Sequence, residues 1–158
     1  MNAPANILAL VTALGAALIG GTFFAFSNFI MPALARQPAA SGIGTMQAVN
    51  ITVINPVFLG VFMGTALLAI ALVVAVLVGG HPRQFLVIAG AALYVAGTFA
   101  VTMACNVPMN DALASLQPQG LQAPEIWGRY VADWTWWNSV RALAAVAAAG
   151  CLTIAVMA

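Results

Sequence analysis

The sequence predicts an all-α integral membrane protein: an antiparallel four-helix bundle with short amphipathic helices in the first and third loops. Three observations carry that prediction. Of 158 residues, 64% are hydrophobic and 4% charged, against about 25% charged in soluble domains. Four arginines, three acids and no lysine cannot make a water-facing surface, and the bilayer is the solvent that fits. Apolar runs long enough to cross it, at roughly 20 residues each, recur four times and nearly exhaust the chain, so 1–158 reads as one domain. Finally, Gly79-Gly80-His81-Pro82-Arg83-Gln84 is too short for anything but a tight hairpin between the second and third runs. The net charge of +1 excludes a nucleic-acid surface.

The first span is expected over 7–31. The flank Met1 to Asn6 lacks the positive charge of a signal peptide, and no cleavage-like end follows the apolar run, so the span reads as retained. Gly15, Gly20 and Gly21 with Ala16 and Ala17 give it a small-residue face for close packing. It turns aromatic and polar toward Ser27 and Asn28, and Pro32 opposes its continuation. Ile43, Met46 and Val49 at helical spacing predict a short amphipathic helix over 41–50, lying at the interface or over the bundle mouth. Asn55-Pro56 opens the second span, expected over 56–78, with proline where its missing N–H costs little. Its Gly60 and Gly64 form a GxxxG spacing that suits a packing contact. The third span is expected over 85–105, ending at Asn106-Val107-Pro108-Met109-Asn110-Asp111. A short helix near 108–116 and a second helical piece near 125–131 follow in the third loop. The fourth span is expected over 134–157, entered through the interfacial aromatics Trp134, Trp136 and Trp137.

Alternation of the spans brings the polar residues to one end: Ser27, Asn28, Gln47, Asn50, Asn55, Asn106, Asn110, Asp111, Asn138 and Arg141. Arg141 is the most informative. About two turns into a span, an arginine costs several kcal/mol, about 2.5–3.5 at the span's centre, so it is expected to face the bundle and meet amides, a bound anion or a carboxylate such as Asp111 or Asp133. Asn138 and Trp134 precede it by three and seven residues and share its helix face. A flat apolar wall beside an amide and a guanidinium suits an aromatic ligand with a phenolate or carbonyl oxygen. Asn106 and Asn110, four apart, share a face of their own, and Pro108 between them frees the carbonyl of Ala104. The plainer readings are helix capping for the 106–111 stretch and a structural tie for Arg141. Met31, Met46, Met103 and Met109 crowd this end. Soft thioethers can hold Cu(I), but methionine is also an ordinary packing residue. The single histidine, His81, and the two cysteines, Cys105 and Cys151, match no metal pattern.

The elements FAFSNFIMPAL (24–34), MQAVN (46–50), NPVF (55–58), NVPMND (106–111) and WTWWNSVR (134–141), in that order, resemble the anthrone oxygenase-like family of small four-span membrane proteins. The likeness spans nearly the whole chain. It implies oxidation of a small aromatic or phenolic substrate by molecular oxygen without metal, haem or flavin. Asp111 would then be the catalytic base and Arg141 the stabiliser of the oxyanion, with Asn28, Asn50, Asn106, Asn110, Trp134 and Asn138 binding the substrate. The family pattern reads WNHxR, whereas this chain has Ser139 at the histidine position. A non-enzymatic reading stands beside it: a lipid- or quinone-binding module, or a structural subunit of a membrane complex. Membrane lipids and a second copy of the chain are the other expected partners, since alanine-rich faces on spans 1 and 4 suit homo-oligomers. A bacterial inner membrane is the expected location. Arginine placement favours cytoplasmic termini and polar loops on the outer side.

Overall fold

The structure, a computed structural model, describes residues 3–157. Met1, Asn2 and Ala158, to which the single-domain reading and the uncharged N-terminal flank also extend, lie outside the described residues. The described chain forms four helices long and apolar enough to cross a membrane: α1 (Ala3–Ala35), α3 (Pro56–Gly79), α4 (Gln84–Ala114) and α5 (Ala123–Val156). The shorter α2 (Ala39–Thr52) lies between the first two. This is the expected all-α membrane bundle. α1 packs along α5 and α3, and α4 packs on α5 and α3.

The spans are longer than the sequence suggested, for one reason that operates twice. Neither Pro32 nor Pro108 ends its helix. A proline inside a helix clashes with the carbonyl four residues back, and in both places the backbone first widens into a π-turn, over Phe26–Ile30 and over Thr102–Asn106. Met31 N–H donates to Phe26 O and Val107 N–H to Thr102 O, each five residues back, and proline follows at the next position. The wide turn removes the clash, so α1 continues to Ala35 and α4 to Ala114. The helical piece expected near 108–116 is accordingly continuous with the third span, and the one near 125–131 forms the start of the single α-helix of the fourth.

α5 has 34 residues, about 50 Å at 1.5 Å per residue, against about 30 Å of hydrocarbon. The helix is therefore longer than one crossing needs. Its first three turns join α2 and the end of α4 in a cap built on Met31, Ile43, Met46, Leu113, Trp127, Tyr130 and Trp134. Gln47 holds the cap together. Its Nε2 donates to Leu113 O and Leu116 O, both 2.9 Å, tying α2 to the end of α4. Three of the four methionines of this end, Met31, Met46 and Met109, are packing residues of this cap. Asn55 caps α3, its Oδ1 accepting from Val57 N and Phe58 N.

Small residues set the helix spacing where helices touch. A Cβ on Gly97 would lie 2.6 Å from Ala144 Cβ, and one on Gly15 would collide with Thr65. Gly60 and Gly64 do not fit the expected packing contact. No atom lies within 4 Å of a Cβ built on either, so that spacing packs against nothing within the chain. A Gly97→Ala substitution should therefore destabilise the bundle by about 1–3 kcal/mol, the usual cost of overpacking. Gly64→Ala should be close to neutral. Thermal unfolding in mild detergent separates the two.

Candidate functional site

Arg141 lies one turn beyond the Trp134–Trp137 belt and is 4% exposed. Helical spacing puts Asn138 a turn above it on the same face, and Arg141 Nη2 donates to Asn138 Oδ1 at 2.6 Å. From α4, Thr102 Oγ1 accepts from Nη1 at 3.1 Å, and its own proton goes to Thr98 O. The guanidinium carbon sits 4.0 Å from the centre of the Phe23 ring and 5.3 Å from that of Trp134, an electrostatically favourable placement over ring faces. Among the described residues no carboxylate reaches it. Among the described residues the only ion pair joins Arg129 to Glu125, both largely exposed. Asp111 and Asp133 are exposed as well, so of the partners expected for Arg141 neither carboxylate serves and an amide, Asn138, does. The two acids stand on outward faces, and neutral dipoles and rings surround the cation instead. A guanidinium has five N–H donors, and only two are taken. The buried Nε has no partner among the described residues.

Asn138 is fully buried and fixed by chemistry on both sides. Arginine can only donate, so the Asn138 oxygen must face Arg141. Its Nδ2 then donates to Phe23 O and Ser27 Oγ, both at 2.7 Å, tying α5 to α1. The same logic orients Asn110. Its Oδ1 accepts from Trp134 Nε1 at 2.8 Å and from Tyr130 Oη at 2.9 Å. An indole N–H cannot accept, so the Asn110 amide nitrogen points away from the tryptophan, with its protons unspent. Asn106, buried, donates to Trp134 O at 3.2 Å. Trp134 is thus gripped at its backbone and at its ring by two amides one turn apart on α4.

Beside these groups lies a cavity of about 750 Å³, within the usual range of small-molecule sites. Phe23, Phe26, Phe58, Phe62 and Trp134 supply aromatic walls, and Asn50, Asn110, Asp111, Thr102 and Arg141 the polar groups. The rings are mutually arranged: Phe58 and Phe62 are stacked at 5.9 Å, and Phe62 stacks on Phe99 at 5.3 Å. Asn50 Nδ2 is buried without a hydrogen-bond partner among the described residues. The polar inventory of the cavity is rich in unspent donors, with the Asp111 carboxylate at the exposed rim as the acidic exception.

Of the residues expected to form the site, Asn50, Asn110, Asp111, Trp134 and Arg141 line this cavity. Asn106 and Asn138 support it from behind, the one holding Trp134 and the other Arg141. Asn28 takes no part. It is exposed and one position past Ser27, whose side chain takes up the inward contact with Asn138. Tyr130, Thr102 and the phenylalanine walls were missed. Tyr130 had a legible signal, since it precedes Trp134 by four residues on the same face. Thr102 stands one turn before Asn106 in an otherwise apolar run. Ser139 does not line the cavity. Its hydroxyl donates to Thr135 O and pairs with the Ser27 hydroxyl at 2.9 Å, and it borders a separate shallow groove with Pro32, Thr135 and Trp136. Among the described residues no three of His, Cys, Asp or Glu converge as a metal site would require.

The sequence model of one family, anthrone oxygenase, matches residues 57–151, more than half of the chain. The chain belongs to the anthrone oxygenase family. The matched region runs from the start of α3 through most of α5 and contains Asn106, Asn110, Asp111, Trp134, Asn138 and Arg141. Asn50 and Phe23, which complete the cavity, lie before it. No curated protein and no solved structure matches the chain.

The support given to Arg141 makes a quantitative expectation. Asn138→Ala removes the acceptor of a charged donor and leaves Phe23 O without that partner. A hydrogen bond to a charged group is worth about 1.5–3 kcal/mol, so the variant should unfold several degrees lower. Asn28→Ala, on an exposed face, should stay within about 0.5 kcal/mol of the parent. Melting followed by tryptophan fluorescence checks both.

Proposed function

We propose that the protein binds a planar aromatic molecule, phenolic or quinone-like, with its oxygen against Arg141, and oxidises it with molecular oxygen. One observation carries the reading. A buried cation with unspent donors, and with no carboxylate of its own, stands at the wall of an aromatic cavity. Cations at membrane depth are retained when something anionic or strongly dipolar compensates them. A ligand oxyanion supplies that charge, and the rings on either side supply stacking surface.

For an anthrone the chemistry is short. The C–H between the two rings is acidic, and loss of its proton places negative charge on the ketone oxygen. That oxyanion is held by Arg141 and by the amide nitrogens of Asn110 and Asn50, whose preorganised donors need no reorientation as charge develops. Oxygen, itself apolar, adds to the ring carbon of the anion. Protonation gives a hydroperoxide, and loss of water across its C–H and O–O bonds yields the quinone carbonyl. One O₂ is consumed and one water released, and the substrate provides all the electrons. The base is Asp111, the carboxylate on the cavity rim, which no arginine of the chain neutralises. Cytoplasmic termini, favoured by arginine placement, would set the cavity toward the outer face.

Oxygen uptake with an anthrone in detergent solution tests the proposal. Loss of an oxyanion donor commonly lowers kcat by about 100-fold or more, which is the effect expected of Arg141→Met. A similar loss, about 100-fold, is expected of Asp111→Asn. If both variants kept the parent rate, the assignment would fall. The exposure of Asp111 favours one second reading, in which the cavity holds a quinone or lipid without turnover. In that case the parent protein binds a hydroxyanthraquinone and consumes no oxygen.

A further inference from the structure

The cavity is partly open, and helix contacts locate the gap. α3 and α4 leave their hairpin in contact, with α3 packed on Gln84–Ala92 and Leu93–Ala100. Beyond that the two helices separate: Thr102–Asn106 packs on α5, and Val107–Ala114 on α5 and α2, with at most marginal contact to α3. α2 rests on α5, on the end of α1 and on the end of α4, again without substantial packing on α3. A slit is left between the first turns of α3 and the last turns of α4, roofed by the end of α2.

Residues that both line a cavity and face its surroundings mark its mouth. Here they are Ile51 at 74% exposure, Ile54 at 70% and Met103 at 53%, together with Asp111 and Ala114. Met103, Val107 and Asp111 succeed one another at four-residue spacing along one edge of the slit. Eight residues of helix separate Met103 from Asp111, about 12 Å of rise. The mouth is therefore apolar at its deeper end and carries one acid at its outer end. In water such an opening would expose isoleucine and methionine at a cost, whereas in hydrocarbon it is matched to its solvent.

Resting on the reading of this cavity as a ligand site, we propose that it opens sideways into the bilayer between α3 and α4. Its occupant is a planar apolar molecule dissolved in the membrane. Such a molecule slides edge-on past Met103 and Ile54 with its oxygen leading toward Arg141, and never crosses the aqueous phase. The aromatic walls behind the slit suit flat rings, and the donors there select an oxygen on the leading edge.

The test needs no knowledge of the natural ligand. In a background of Cys105→Ala and Cys151→Ala, Phe58→Cys places a thiol on the cavity's inner wall, and Asn50→Cys provides a second position should the first fail to fold. The proteins are reconstituted in phosphatidylcholine vesicles and labelled either with N-pyrenylmaleimide, which partitions into lipid, or with a sulfonated, membrane-impermeant maleimide. Labelling by the pyrene reagent is expected to be faster by roughly tenfold or more, and adding Met103→Trp, which fills the slit, is expected to slow it by roughly tenfold. Equal or faster labelling by the sulfonated reagent, indifference to Met103→Trp, or no labelling at either position would each overturn the proposal. Hydroxyanthraquinone binding, measured on the unlabelled protein, reports on the ligand reading separately. Its absence removes that reading and leaves the result for the slit standing.

Discussion

The arrangement of this bundle's polar end depends on keeping one guanidinium charged inside a membrane without a counter-carboxylate. On insertion scales the bare residue costs about 2.5–3.5 kcal/mol at a span's centre, a sizeable part of the roughly 5–15 kcal/mol by which a typical domain is stable. The compensation is built from neutral parts. Asn138 and Thr102 present oxygens to Arg141, and the faces of Phe23 and Trp134 flank it. Each part is committed elsewhere as well. Asn138 also clasps α1 through Phe23 O and Ser27, and Thr102 also bonds back to Thr98 O. Solvating the cation and docking α1 and α4 on α5 are thus one set of contacts. Losing any member loosens a helix as well as the charge.

Two π-helical segments, Phe26–Ile30 in α1 and Thr102–Asn106 in α4, belong to the same construction. They lie beside the polar layer, each with a proline two residues on, and a further one, Leu93–Ala100, precedes the second in α4. A π-turn adds a residue to the helical circuit and so rotates the later turns of the helix relative to the earlier ones. In α4 it lies between Thr102, which faces Arg141, and Asn106, which faces the backbone of Trp134. The prolines then need no kink or break, and α4 runs on to deliver Asn110 to the cavity and Leu113 to the cap.

The features legible in the sequence divide along this line. The bundle was legible because composition leaves no other solvent and because spans are long, regular objects. The row Trp134, Asn138, Arg141 was legible because helix geometry within one element fixes shared faces. Asn28 was misassigned although the same geometry was available: Ser27, not Asn28, comes four residues after the buried Phe23. The helix ends at Pro32 and Pro108 were misjudged because proline's usual effect assumes an α-helical turn before it, and no residue of the preceding turn announces the wider one. For Arg141 the sequence leaves amides, a bound anion and a carboxylate open as partners, and the structure supplies an amide, Asn138. The choice was not legible because relations between helices depend on tilt and rotation, which the pattern of one helix does not encode. Nor could GxxxG say on its own whether it faces a neighbour, and here no neighbour in the chain meets it.

The missing ion pair is the feature that gives the site its chemical sense. Had Asp111 closed on Arg141, the cation would be neutralised from within, and an uncharged ligand would gain little from it. Left without an anion, Arg141 interacts more strongly with a ligand's oxyanion than with the same ligand's neutral carbonyl. Differential interaction of that kind acts directly on acidity, because each 1.36 kcal/mol by which the deprotonated form is preferred lowers the bound ligand's pKa by one unit. Low surrounding polarity enlarges the preference. On the proposed function, a weak carbon acid bound at this site would be made more acidic by binding alone, before any base approaches it. The demand on the base would fall by the same amount, and an exposed carboxylate at the rim would suffice as proton acceptor where a strongly perturbed buried one would otherwise be required.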